Sequence, residues 1–428
     1  MNKQKEAVII HGSKWRPIPF GNGGSFTMWR NYMALTESFY KVKLFEFGSS
    51  KPSLKYPKKE LAKLSYNTIK TSQNRFLFKG RISKWLNAPI GLLRGLYPPG
   101  IGDLSVDNDS ILEFSKIKPD LIVAQNISAA IISRRIWKKS KIVLCLHDLD
   151  PILELRKSLN SLEYNNPFKK NVFYKLFFKW NYFFHITMFK YHCRSFDDVI
   201  VHGENMIKDM NRYHLKAKYF PPVVSQKNDM LKNIRKIRSE CFYNNEVFRI
   251  VYISKLNNSH TRKALPKIIE NILPKFEKTL GADNFVLRVI GSQKNAKDII
   301  KKYSRIKNVD FIGFVDALDE EYNKAFCQIV PDGFDTGVRI KIIESLSYGL
   351  PIITTSKEIS ALRLKDNKSG CLSADNDDEF VSQMVRLIKE KNFYFENVEN
   401  ALSTFNEKFH QKNIIPKISD YFKKISIS

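Results

Sequence analysis

Short apolar runs alternate with amphipathic helical stretches along almost the whole chain, and that alternation narrows the possible folds more than any other feature. The runs AVIIHG, VKLFEF, PDLIVAQN, KIVLCLHDL and DDVIVHG are separated by helix-like segments such as FTMWRNYMALTESF, SAAIISRRIWKK and ENMIKDMNRYH. A second series follows, with RIVYISKL, NFVLRVIGS, VDFIGF, CQIVP, PIITT and GCLSA interleaved in the same way. Such alternation builds βαβ units and parallel sheets covered by helices on both faces. The expected fold class is therefore α/β, with two Rossmann-like doubly wound domains facing across a cleft. At 428 residues the chain also exceeds what one hydrophobic core usually supports.

The stretch 225–246 is polar without an apolar period, and the domain division is expected there. Residues 1–228 form the first expected domain and 229–407 the second, with a C-terminal helix over 408–428 packing back on the first. Residues 50–80, rich in Lys and Ser, read as loop with a short helix. In doubly wound sheets, ligands gather beyond the carboxyl ends of the strands, where loops and helix N-termini meet.

Composition excludes several classes. Hydrophobic residues at 43% and aromatics at 13% are ample for packed cores, so the chain is not a disordered one. Its five cysteines are far apart, with no CxxC pair, which argues against a disulfide framework or a zinc site and suits a reducing cytoplasm. The start, MNKQKEAVIIHG, is too short in apolar residues for a signal peptide, and no window approaches a spanning helix. No metal and no cofactor is expected. A formal charge of +28 attracts polyanions such as nucleic acid, anionic lipid or phosphorylated substrates, although solvated lysines alone account for it equally well.

The stretch GFDTGVRIKIIESLSYGLPIITT, from Gly333 to Thr355, carries the sharpest signal. Its helix follows glycines and opens with cations, where helices ordinarily favour acids. Gly337, Lys341 and Glu344 are spaced for one helical face, with Ile342, Ile343 and Leu346 turned away from it. Free N–H groups at a helix start bind anions, and glycines let a ligand approach the backbone. Arg339 and Lys341 add charge-assisted bonds suited to a diphosphate. Glu344 lies about 4.5 Å further along the axis than Lys341, a distance suited to an attached ribose. An exposed amphipathic helix with a chance set of charges is the plainer alternative.

The whole order of this stretch, G-x-R-x-K-x-x-E-x-x-x-x-G-x-P-x-x-x-T, resembles the donor-site segment of the group 1 glycosyltransferases with the GT-B fold. The resemblance extends over most of the second domain through IVYISKLNNSHTRKALPKIIENILPKF, LRVIGS and VDFIGFV, and is weaker in the first. It implies that Glu344 binds the nucleotide ribose while Lys341, Arg339 and Gly337 face the diphosphate. SKLNNSHTRK matches the second phosphate element, so Lys255, with Arg262 or Lys263, would neutralise the leaving diphosphate. Many members carry a second acid eight positions before the ribose-binding glutamate. Thr336 stands there in this chain, and Asp335, with Asp332 nearby, is the candidate catalytic carboxylate in its place. Retention of anomeric configuration is the favoured outcome on this resemblance.

In the first domain, GNGGSF places Gly23 and Gly24 at a helix start, implied by the resemblance to lie near the acceptor and the donor phosphate. His147 ends the strand KIVLCLHDL at the carboxyl edge, and in the family a histidine at this edge commonly contacts the donor sugar. Asp148 and Asp150 could be a base, a helix cap or solvated acids, and their DLD spelling resembles a metal-binding DxD by chance as readily as by design. His11 and His202, at the ends of other strands, are reserve candidates.

Residues 168–191 contain eleven aromatics, five lysines and no acid. On a helix this suits an interfacial segment on anionic lipid, single-stranded nucleic acid, or a core helix with lysines snorkelling. RISKWLNAPIGLLRGLYPPG is a second apolar and basic patch. The expected activity is transfer of a sugar from a nucleotide-sugar donor to a glycan or lipid-linked acceptor. Bacterial cell-surface polysaccharide assembly, at the inner face of the cell membrane, is the expected setting, with anionic lipid met through 168–191 and no nucleic-acid partner. The alternatives are a catalytically silent basic scaffold binding membrane, nucleic acid or a partner transferase, or a related reaction on the same fold, such as epimerisation or phosphorolysis.

Overall fold

The computed structural model describes residues 4–12, 23–47, 66–74, 103–147, 149, 172–224, 233–244, 247–257, 261–331 and 338–427. Two compact units divide the chain. The first runs to Pro222 and is rejoined from Ile414 onward, while the second begins at Val223 and ends at Asn413.

The first unit is built on a parallel sheet of seven strands. Its strands are β1 (Glu6–Gly12), β2 (Lys41–Phe47), β3 (Tyr66–Ile69), β6 (Leu121–Ala124), β7 (Lys141–Leu146), β8 (Asp198–Val201) and β9 (Lys218–Tyr219). Strands β4 (Thr71–Asn74) and β5 (Asp103–Val106) form a separate antiparallel pair. The order is β3-β2-β1-β6-β7-β8-β9, so the chain steps outward from β1 on one side and then restarts on the other. Strands β1, β6 and β7 are buried almost throughout, as strands covered on both faces must be. Within 50–80, expected as loop and short helix, the described part is instead β3 and β4. Tyr66–Ile69 gains its place by pairing with Leu44–Phe47 of β2, a partner that local composition does not reveal.

The second unit has six parallel strands: β10 (Phe248–Ile253), β11 (Phe285–Ile290), β12 (Val309–Gly313), β13 (Cys327–Val330), β14 (Ile352–Thr354) and β15 (Cys371–Ser373). Their order, β12-β11-β10-β13-β14-β15, is that of a dinucleotide-binding sheet. Its core gathers Ile250, Tyr252, Leu287, Val289, Ile329 and Ile353 with apolar residues of the surrounding helices. The polar interval expected as a linker contains a helix, Ile234–Tyr243. Ile234, Arg238 and Cys241 are buried on one side of it. Arg238 donates to the carbonyls of Tyr322, Asn323 and Ala325 at 2.6–2.8 Å, which satisfies a buried cation with helix-end carbonyls in place of an acid. A polar sequence thus supplies a core helix. The last helix, Gln411–Ile427, joins the first sheet's unit through Ser419, whose Oγ lies 2.7 Å from Ser38 Oγ, and through Tyr421, which donates to Asp198 at 3.0 Å.

Candidate active site

In the second sheet the strand order reverses between β10 and β13, and ligands of open α/β sheets sit at such switch points beyond the carboxyl ends. Both flanking connections carry cations. The segment after β10 is fixed by backbone bonds that continue the ladder: Ser254 N–H to Ile290 O (2.9 Å), Leu256 N–H to Ser292 O (3.1 Å) and Gly291 N–H to Gly313 O (2.8 Å). Gly291, at φ +141°, lets the chains approach so closely that a Cβ there would lie 2.0 Å from Ser254 O. Ser254 Oγ and Thr261 Oγ1 then pair at 2.6 Å, tying this segment to the helix that starts at Thr261.

Lys255 and Lys263 are exposed on that segment and helix. Arg262 is held by Asp298, at 2.6 and 3.1 Å through two nitrogens, and also donates to Asn295 O at 3.1 Å.

After β13 the chain reaches the helix Ile340–Ser347. Arg339 is its N-cap residue and Lys341 stands in a first turn that has no acid. Ile342, Ile343 and Leu346 are fully buried, so the helix presents Lys341 and Glu344 on the opposite side. Lys341 Nζ lies 5.0 Å from the ring centroid of Tyr252, a residue of β10. That contact brings the two sides of the switch point together. Arg339 Nε is 3.4 Å from Glu358, a buried carboxylate on the helix Ser356–Ala361, whose start is capped by Thr355.

Glu344 is half-buried beside Tyr322, whose hydroxyl donates to Oε2 at 3.4 Å. Burial pushes the Glu344 carboxyl up to about 7, against the smaller opposing effect of the Tyr322 bond. Tyr322 stacks on Tyr348 at 4.7 Å, and Tyr348 donates to Asp319 at 3.0 Å, so the wall around Glu344 is itself braced.

In the first sheet, four adjacent strands each end on a polar side chain: His11 on β1, Gln125 after β6, His147 after β7 and His202 after β8. The strand order reverses here too, between β1 and β6. His147 Nε2 lies 2.9 Å from Gln125 Oε1, and its ring is 5.4 Å from that of His202. Burial, with the Arg30 charge and His11 adding to it, pushes the His147 imidazole down to about 3, so it is neutral at physiological pH.

Arg30 is fully buried and donates to Phe220 O (2.9 Å), Pro221 O (2.6 Å) and Asn31 Oδ1 (2.8 and 3.1 Å). His202 Nδ1 lies 3.0 Å from Phe220 O and 3.4 Å from Arg30 Nη1; the carbonyl is the nearer partner, so Nδ1 carries the proton and Nε2 accepts from the Cys145 thiol (3.2 Å). Burial pushes that thiol up to about 11, so the Cys–His pair is a buried hydrogen bond and not a nucleophile.

Of the sequence candidates, Arg339, Lys341 and Glu344 come together at the second switch point, with Lys255 on the facing segment. Gly23 and Gly24 open the helix Gly23–Glu37 that follows β1. Asp335, Gly337, Thr336, Asp332, Asp148 and Asp150 lie outside the described residues. Among the described residues, no cluster of His, Cys, Asp and Glu is suited to a metal ion, and no helix is long and apolar enough to cross a membrane. Residues that sequence reasoning passed over are Gln125, Arg30, Tyr252, Tyr322 and Glu358. Only Gln125 has a local signal, as the first polar residue after a buried run and directly before the helix-capping Asn126.

Solved structures share this architecture over nearly their full length. A sucrose-phosphate synthase from Thermosynechococcus elongatus aligns with a TM-score of 0.62 and 11% identity, over 98% of this chain and 99% of that one. HepE from Anabaena, in complex with UDP, aligns with a TM-score of 0.63 and 12% identity, over 98% and 100%. WaaG, described as a glycosyltransferase involved in lipopolysaccharide biosynthesis, gives 0.56 and 14%, over 97% and 99%. The fold is that of the GT-B glycosyltransferases. Residues 247–390, which span the second sheet and both of its cationic connections, match the family model of glycosyl transferases group 1. No curated sequence matches the chain.

Proposed function

We propose that the protein transfers a sugar from a nucleotide-sugar donor, bound on the second unit, to a glycan or lipid-linked acceptor bound on the first. The observation that carries this reading is the meeting of Lys341, Tyr252 and Glu344 at the β10/β13 switch point, inside the segment that matches the family. Lys341 over a tyrosine ring gains on the order of 0.5–2 kcal/mol. A charge-assisted bond to a phosphate is worth roughly 1.5–3 kcal/mol, so a diphosphate draws the ammonium away from the ring. Arg339 is steadied by Glu358 and contributes a fixed positive field. Lys255, Lys263 and Gly337 complete the diphosphate site, with Arg262 joining it only on release from Asp298. Gly23 and Gly24, at the start of the helix Gly23–Glu37, are further candidates for binding the nucleotide-sugar.

Glu344 accepts the ribose hydroxyls. His147, neutral and at a strand's carboxyl edge, meets the sugar, and Asp335 is the candidate catalytic carboxylate. Retention is the expected stereochemistry. HepE and the pneumococcal O-GlcNAc transferase GtfA are described as complexes with UDP, which makes UDP the first nucleotide to test here. WaaG's role in lipopolysaccharide biosynthesis supports a setting in bacterial cell-surface polysaccharide assembly, with the protein cytoplasmic and peripheral on the membrane.

Thermal denaturation with UDP, GDP, ADP and TDP tests the reading. One of them should raise Tm, by an amount equivalent to about 2.7 kcal/mol at a hundredfold excess over Kd. Glu344→Ala and Lys341→Ala should each abolish most of that shift. A protein that responds to none of the four, and that turns over no nucleotide-sugar, is not a transferase of this kind.

A further inference from the structure

Of the four polar side chains at the ends of the first sheet's strands, the proposed reaction uses only His147, and Gln125 is the one bonded directly to it. Gln125 is fully buried, and its backbone is set from both directions. Its N–H continues the ladder to Ile10 O at 3.0 Å, and its neighbour Asn126 caps the helix Ile127–Ile136 by accepting from Ala129 N–H at 2.7 Å. The side chain therefore has little freedom, and it spends its carbonyl on His147 Nε2 at 2.9 Å. Among the described residues, the amide nitrogen of Gln125 has no hydrogen-bond partner. A buried glutamine half-satisfied in this way costs stability that an apolar residue of similar size avoids.

We propose that Gln125 is a positioning residue for His147: its carbonyl accepts the Nε2 proton and so selects the tautomer in which Nδ1 is the only acceptor on the ring. A neutral imidazole carries one proton, and the partner of one nitrogen decides the state of the other. Here the partner that accepts at Nε2 is a carbonyl on the adjacent strand, held by the sheet itself. Neighbouring His202 is fixed in the opposite sense, since its Nδ1–H goes to Phe220 O and its Nε2 accepts from Cys145. The two rings at adjacent strand ends thus carry opposite tautomers. If His147 meets a sugar, it meets it as a hydrogen-bond acceptor for a hydroxyl and not as a proton donor. This last step rests on the proposed transferase reading, whereas the tautomer does not.

The two parts separate experimentally. In the full-length protein labelled with 15N-histidine, long-range proton–nitrogen spectra report the tautomer of each neutral ring, and His147→Gln assigns the His147 signals. The expected result is Nε2–H for His147 and Nδ1–H for His202. Gln125→Glu, which retains an acceptor, should keep the His147 tautomer. Gln125→Leu should release it to a mixture, while leaving His202 unchanged and the fold intact by circular dichroism. Gln125→Met serves if the leucine variant does not fold. On activity, Gln125→Leu should lower kcat/KM by about tenfold, as loss of a partner that orients a functional histidine typically does, with Gln125→Glu recovering part of it. A wild-type His147 protonated on Nδ1, or an Nε2–H tautomer unmoved by Gln125→Leu, overturns the proposal. An expected tautomer pattern in a protein that turns over no nucleotide-sugar leaves the positioning role standing and removes the transferase reading instead.

Discussion

The behaviour of Glu344 follows from a contest between two local effects. Burial favours the neutral acid and the Tyr322 hydroxyl favours the anion, and burial wins, placing the carboxyl at about 7 against 4.5 for an ordinary glutamate. A ribose hydroxyl donates to the ionised form. Nucleoside diphosphate affinity should therefore rise with pH through 7 and level off above 8, with the weaker binding on the acid side. Calorimetric titrations at pH 6, 7 and 8 check this, and Glu344→Gln should flatten the dependence. An affinity that falls over that range contradicts the assignment of Glu344 to the ribose. Glu344 could be singled out in the sequence because its spacing from Lys341 is an intrahelical property. Tyr322, which lies 22 residues away on another helix, could not.

The segment after β10 holds its shape because three chains meet where Gly291 removes a side chain. Gly291→Ala puts a methyl group 2.0 Å from Ser254 O, at a φ of +141° that other residues rarely adopt. The chains must part, and the strain alone is on the order of 1–3 kcal/mol. Denaturant unfolding should show a loss of at least that size, accompanied by weaker nucleotide binding, because the displaced segment carries Lys255. A neutral effect on both would mean that this approach is not rigid. The helix Val172–Ser195 shows the opposite kind of legibility. Its composition allowed an interfacial or a core helix, and the structure divides the residues between the two. Phe184, Met188 and Phe189 are buried, while Leu176, Trp180, Phe183 and Tyr191 are exposed at helical spacing. The side chains of Phe177 and Phe178 lie outside the described residues.

For the molecule as a whole, that exposed stripe and the charge of +28 are the two features on which attachment to an anionic membrane is proposed. Aromatic residues at the headgroup level and basic residues over anionic lipid each add modest affinity, and several are needed for stable attachment. The full-length protein should co-sediment with vesicles containing phosphatidylglycerol and much less with neutral ones. Replacing Trp180, Phe183 and Tyr191 by Ser should lower the bound fraction severalfold, with little effect on Tm because these rings are 47–62% exposed. Unchanged binding to anionic vesicles would leave charge as the only attractive element. Loss of the fold would assign the stripe to packing.

What the sequence alone determined is what depends on short range. Strand runs such as Ala7–Ile10 and Leu121–Ala124 are continuous in apolar residues because both faces of a parallel sheet are covered, and that pattern survives without knowledge of partners. The order of Arg339, Lys341 and Glu344 on one helix is of the same kind. Only the tertiary structure decided which groups from distant strands share an environment. Arg30 and Arg238 are polar by composition yet fully buried, because backbone carbonyls of Phe220, Pro221, Tyr322 and Ala325 converge on them. Gln125 and His147 stand 22 residues apart and meet because β6 and β7 pair in register. Hydrogen bonds and desolvation act over a few ångströms, so the state of a buried polar side chain is set by its neighbours in space, and those the chain acquires only by folding.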